Sequence, residues 1–266
     1  MTIQRSLNYK FWLYSSLVSL GIFYLNLTWK TTGDWDRLTT DMLFLGAILW
    51  LLWQRKDLLK YDSNFISSLL GFSLIFIVLF KTLSLFWFES TLLPLFPCFV
   101  AIGIALTASG IRGLSQYWKE LFFAWFLFFP TGVIGNFIDK LVPITVLNAK
   151  FATYFLYYFG FNVASQSNQV LLSLPERGEF KAIVDYPCAG MPMILLILKL
   201  ALLLVCFYSL PKTQQILVPI VSIAIGFILG VIRVCILTLM IPEPAKFAYW
   251  HGSSGAQIFS TLGIVI

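Results

Sequence analysis

Long apolar runs, separated by short charged or proline-bearing loops, leave this chain few ways to fold. The runs lie at about 11–28, 38–54, 65–88, 92–111, 118–138, 188–210 and 216–240, with a last one from about 256 to the end. A helix needs about 20 apolar residues to cross a bilayer. Within lipid it satisfies its own backbone hydrogen bonds, which an open strand cannot do. The runs therefore predict an all-α, polytopic membrane helix bundle with about eight transmembrane helices. Composition agrees, with 59% hydrophobic residues and 11% charged, where a soluble domain carries about a quarter charged. A soluble enzyme, a disordered chain, a nucleic-acid-binding domain and a disulfide-rich scaffold are excluded on that ground. The net charge of +6 comes from Lys and Arg scattered singly through loops. Such charges orient helices against membrane lipids and make no nucleic-acid footprint.

With the N-terminus inside, the basic loops carrying Arg55, Lys56 and Lys60 and then Arg112 and Lys119 fall on the cytoplasmic side, beside Arg5 and Lys10. Segment 144–161 contains Asn148 and Lys150 within an apolar stretch. It reads as one interfacial amphipathic helix anchored by Tyr154, Tyr157 and Tyr158, with a membrane crossing as the alternative. The only sizeable polar stretch, 162–187, predicts a small extracytoplasmic β-hairpin at about 169–186. Gln169–Leu174 forms one strand, Pro175–Gly178 the turn and Glu179–Val184 the return. Residues 1–90 are read as N-terminal transmembrane helices of unassigned role, and 91–266 as the part that carries chemistry.

Connectivity gathers three reactive side chains at one membrane face. Cys188 opens a helix that runs in to the polar turn 211–215, the next helix returns carrying Arg233 near its far end, and His251 precedes the last run. At 1.5 Å per residue, Cys188 and Arg233 lie about 33 and 26 Å from that turn. A long arginine side chain spans the difference. A cysteine at a helix N-terminus is expected to have its pKa lowered by the helix dipole. An imidazole can exchange protons with the thiol and a leaving amine, and a guanidinium can hold an oxyanion. The bland readings are a small buried cysteine, an arginine snorkelling to lipid phosphate and an interfacial histidine anchor. Gly252–Gly255 hints at an intramembrane serine protease, but no later histidine follows to serve Ser253 or Ser254. A single histidine and the lack of a CxxC pair argue against a bound metal, and no cofactor is expected.

At these residues the sequence resembles the exosortase/archaeosortase family of multi-pass membrane transpeptidases. The likeness covers roughly 90–266 and is strongest over 180–256. It is carried by Cys188-Ala189-Gly190 after a hairpin, by Arg233 forty-five residues on, and by His251 eighteen further, with Gly255 completing an H-x-x-x-G pattern. The proline-punctuated segment from Phe129-Pro130 to Pro143 is the fourth piece, and the length and aromatic bias resemble the family's cyanobacterial branch, the cyanoexosortases. Gly230 departs from the pattern, since a more polar residue is expected ahead of Arg233. The resemblance implies a cysteine-type transpeptidase or protease of the bacterial inner membrane, with its site facing the extracytoplasmic side. Its partners would be exported proteins with a C-terminal sorting signal, made of a PEP-like motif, a hydrophobic span and a basic end, and an envelope acceptor. Cys188 would be the nucleophile, Arg233 the oxyanion holder and His251 the general acid and base. A reading from another class is a non-enzymatic membrane carrier or assembly factor for envelope polysaccharide, with Arg233 and Lys199 contacting lipid or substrate phosphate.

Overall fold

Proline and glycine decide where the apolar runs turn. The computed structural model describes residues 2–83, 93–175, 177–208 and 210–266. They form two compact units, Met1–Pro130 and Thr131–Ile266. The end of the run expected over 65–88 and Glu176 of the expected turn lie outside the described residues.

The first unit holds α1 (Thr2–Thr32), α2 (Trp35–Gln54), α3 (Phe65–Leu83), α4 (Phe96–Gly113) and α5 (Trp118–Phe128). The helix α3 presents Phe65, Leu69, Phe72, Phe76 and Phe80 outward, a stripe at helical spacing suited to lipid. Its opposite side meets α4 through Gly71, where a Cβ would stand 2.5 Å from the Gly103 carbonyl oxygen. Close approach at small residues is how helices associate where lipid removes the hydrophobic drive. Gly110, at φ 67°, breaks α4 from the turn that follows. The stretch Phe96–Phe128 then folds back on itself, since the Cys98 thiol donates to the Ala124 carbonyl at 3.2 Å. Arg55 closes this end by reaching both Glu120 carboxylate oxygens, at 3.0 and 3.2 Å.

The second unit holds α6 (Thr131–Leu141), α7 (Ile144–Tyr158), α8 (Met191–Phe207), α9 (Lys212–Met240), α10 (Pro244–His251) and α11 (Ser253–Val265). Between α7 and α8 stand β1 (Val163–Gln166), β2 (Gln169–Leu174) and β3 (Gly178–Ile183), an antiparallel sheet in the order β1-β2-β3. The expected hairpin is present with Leu172 opposite Phe180 and Val170 opposite Ala182. The unexpected first strand joins it through Ser167, whose φ of 56° makes a tight corner. Val170 and Val184 turn inward onto Ala149, Ala152 and Val234, the core shared by the sheet, α7 and α9.

The count of about eight spans is not reproduced. Among the described residues, four stretches are long and apolar enough to cross a membrane by length and composition: Phe11–Thr32, Phe65–Thr82, Lys212–Met240 and Phe96–Phe128, the last of which is divided between α4 and α5. Met191–Phe207 and Ser254–Val265 are apolar but shorter. The span expected over 118–138 is split at Phe129-Pro130, where Phe129 is extended with ψ 135°. Proline lacks the amide that would continue the ladder and pushes its predecessor out of the helical region. Two helices of 11 residues each result, each about 16 Å long. The run expected over 38–54 falls within α2, whose first two turns carry Asp36, Arg37 and Asp41 and lower its apolarity.

The helices α8 and α9 touch at glycine. Gly190, at φ 69°, would place a Cβ 2.5 Å from the Gly230 Cα, and one on Gly226 would stand 2.6 Å from the Ile194 Cα. Gly230 is therefore a packing residue, which accounts for its departure from the expected polar character. Gly190→Ala should lower stability by more than about 1 kcal/mol, because the left-handed conformation and the lost contact both penalise a Cβ. Thermal unfolding in detergent checks this, and an unchanged midpoint would show that the two backbones can part freely.

Candidate active site

The chain enters α8 through a turn that is tied down on both sides of Cys188. The Asp185 carbonyl accepts from the Cys188 and Ala189 amides, both at 2.9 Å. Gly190 reverses the backbone, and Pro192 stands in the first helical turn. Arg233 of α9 donates from a terminal guanidinium nitrogen to the Pro187 carbonyl at 3.0 Å. Asn148 of α7 donates through Nδ2 to the Ala189 carbonyl. The residues flanking Cys188 are thus each gripped by a buried polar side chain from a different helix.

Burial controls the electrostatics. Cys188 is 7% exposed, Arg233 6% and Asn148 0%. The Cys188 thiol is pushed above the ordinary cysteine range by burial, while the Arg233 charge pulls it down and Asp185 pushes it up. This corrects the expectation of a dipole-lowered thiol. Helix α8 begins three residues beyond Cys188, at Met191, and desolvation outweighs the pull of the guanidinium. The Arg233 Nε has no hydrogen-bond partner among the described residues, and its guanidinium carbon lies 6.0 Å from the centre of the Phe259 ring on α11.

His251 ends α10, exposed, with its ring stacked on Phe247 at 5.2 Å between centroids. The chain turns sharply there into α11. Gly255 makes the turn possible, because any Cβ would collide with the Trp250 backbone. The H-x-x-x-G spacing is thus a packed corner that fixes the histidine. Cys188 and His251 both line a cavity of about 340 Å³ whose walls come from β3, α9 and α10. Among the described residues no hydrogen bond joins the imidazole to the thiol. Cys188 and Arg233 are therefore brought into electrostatic contact, and Cys188 and His251 to one cavity. Lys199 lies apart from this cavity, buried along α8.

Sequence reasoning missed Asn148 and the packing role of α7. The sequence reads that helix as amphipathic and interfacial, with a membrane crossing as the alternative, and does not say what its inner face meets. In the structure Ala149, Ala152 and Leu156 are buried in the core beside Cys188, the Cys235 thiol contacts the Ala152 carbonyl at 3.7 Å, and Tyr154, Tyr157 and Tyr158 face outward. A buried asparagine in an apolar helix was the available signal, since such a group must find a partner. Nothing local indicated that the partner lay 41 residues further on.

Apolar helices carrying a cysteine-centred cleft at their ends define a polytopic membrane protein with a candidate thiol chemistry. The chain belongs to the transmembrane exosortase family, whose description matches residues 32–266. Neither curated proteins nor solved structures give a match. Exosortases are membrane transpeptidases or proteases that act on sorting signals of exported proteins.

Proposed function

We propose that this protein is a cysteine transpeptidase of the bacterial inner membrane. It cleaves a C-terminal PEP-type sorting signal from exported proteins and passes them to an envelope acceptor. The observation that carries this reading is the single cavity shared by Cys188 and His251, with Arg233 bonded to the residue before the cysteine. The cavity faces the extracytoplasmic side, where a substrate held by its own hydrophobic span presents its cleavage site.

In the first half-reaction His251 takes the Cys188 proton as the sulfur attacks the scissile carbonyl carbon, forming a C–S bond. Arg233 stabilises the oxyanion that develops. The C–N bond then breaks, His251 returns its proton to the departing amine, and a thioester remains on Cys188. In the second, an acceptor nucleophile loses its proton to His251, attacks the thioester and releases the thiol. Because burial favours the protonated thiol at rest, the nucleophile forms only when a base assists. His251 is the base that lines the same cavity.

The experiment is capture of the acyl-enzyme. Quenched membranes should contain a protein joined to Cys188 by a hydroxylamine-sensitive bond, identified by mass spectrometry. Pretreating intact cells with a membrane-impermeant maleimide should prevent the capture. A substrate processed with no thioester would sink the covalent route. Blocking only after permeabilisation would reverse the orientation.

A further inference from the structure

One wall of the Cys188 cavity is β3, one of the two edge strands of the sheet. Lys181, Ala182, Ile183 and Val184 all line it. Successive strand residues point to opposite faces, so three consecutive residues of β3, with Val184 just beyond it, reach one cavity where it borders the strand's hydrogen-bonding edge. The ladder says which groups lie on that edge. The Val184 amide donates to the Asn168 carbonyl at 2.8 Å, and Ala182 and Phe180 stand opposite Val170 and Leu172. Backbone groups alternate sides along a strand. The amides and carbonyls of Lys181 and Ile183 therefore point away from β2. Among the described residues no hydrogen bond uses them.

A row of unpaired backbone groups is a template for another extended chain. This one runs directly into the turn that carries Cys188. Among the residues lining the cavity Lys181 carries the charge, and none of them is a carboxylate. Leu237, Ile241 and Phe247 supply apolar lining to the same cavity.

We propose that the substrate adds to β3 as a fourth, extended strand, and that Lys181 reads a carboxylate side chain close to the bond offered to Cys188. Main-chain pairing on β3 supplies affinity and alignment, Lys181 supplies selection, and the apolar wall takes a neighbouring side chain. This rests on the reading of Cys188 as the nucleophile and adds the residues that choose its substrate.

The test uses the full chain in its membrane and a tagged exported reporter ending in a Pro-Glu-Pro motif, a hydrophobic span and a basic tail. Lys181→Glu should slow processing at least about tenfold, since like charges across an interface repel strongly, while Lys181→Arg stays near wild type. Changing the reporter glutamate to lysine should impair the wild-type enzyme similarly, and joining that reporter to the Lys181→Glu enzyme should restore processing. Ile183→Pro removes one outward amide at a position where an edge strand tolerates proline. It should fall about fivefold or more below Ile183→Ala, which keeps the amide. Maleimide labelling of Cys188 should be equal in all variants, separating loss of docking from loss of fold. Processing within twofold of wild type by Lys181→Glu, or no rescue by the exchanged pair, overturns the role of Lys181. Equal rates for the proline and alanine variants overturn strand addition. A wild type that forms no acyl-enzyme would instead overturn the Cys188 reading.

Discussion

Cys188→Ala and Cys188→Ser should each abolish processing of the tagged reporter, with an expected loss of at least about 10³-fold. Alanine removes the nucleophile. Serine keeps the shape but replaces a polarisable thiol with a hydroxyl that is far harder to deprotonate in a buried turn. The backbone around it does not depend on the sulfur, because its bonds run through the Asp185, Pro187 and Ala189 carbonyls. Both variants should therefore accumulate and unfold as the parent does. Cys206, exposed on α8, and Cys235, packed against α7, are the controls. Cys206→Ala should change nothing. Cys235→Ala leaves a small core gap and should lower the unfolding midpoint slightly while processing continues. Normal processing by Cys188→Ala would remove the nucleophile from the scheme, and equal losses at all three cysteines would point to folding.

How far this site can be read from sequence depends on the range of the interactions that build it. The apolar runs are legible because hydropathy is local. The pairing of β2 with β3 is legible because turn residues separate two short alternating strands. The strand β1 escaped because its connection is a Ser167-Asn168 corner with a positive φ at a non-glycine residue. Pro130 lies inside the apolar run 118–138, and in the structure the proline's local effect prevails over the hydropathy around it. Connectivity alone gives the expectation that Cys188, Arg233 and His251 share one membrane face, and in the structure Cys188 lies within electrostatic reach of Arg233 and lines one cavity with His251. What connectivity could not supply was the grip on the turn. The Asn148 bond to the Ala189 carbonyl and the Gly190–Gly230 contact both join positions about forty residues apart. Each follows from tertiary packing, which no sequence period encodes. Burial of the thiol has the same origin, so an argument from the dipole alone gave the wrong direction.

Arg233→Lys separates the charge of this residue from its shape. Lysine preserves a cation but ends in a single ammonium on a flexible stem, whereas the guanidinium is a rigid planar fork. In the structure one nitrogen of that fork is committed to the Pro187 carbonyl at 3.0 Å, while Nε has no partner among the described residues. A lysine that keeps the Pro187 bond has little left to place on a developing oxyanion, and one that turns to the oxyanion releases the turn. Processing should fall about 10²-fold or more, the range for losing one oxyanion donor. Iodoacetamide reports on the charge independently. Since the Arg233 charge draws the Cys188 pKa down against burial, Arg233→Gln should move the alkylation midpoint to higher pH. Arg233→Lys should leave it near the wild-type position. The lysine variant would then combine a nearly normal thiol with failed turnover, a pattern that loss of charge cannot produce. Wild-type turnover in Arg233→Lys would show that a point charge suffices, and an unmoved midpoint in Arg233→Gln would show that the guanidinium does not act on the sulfur.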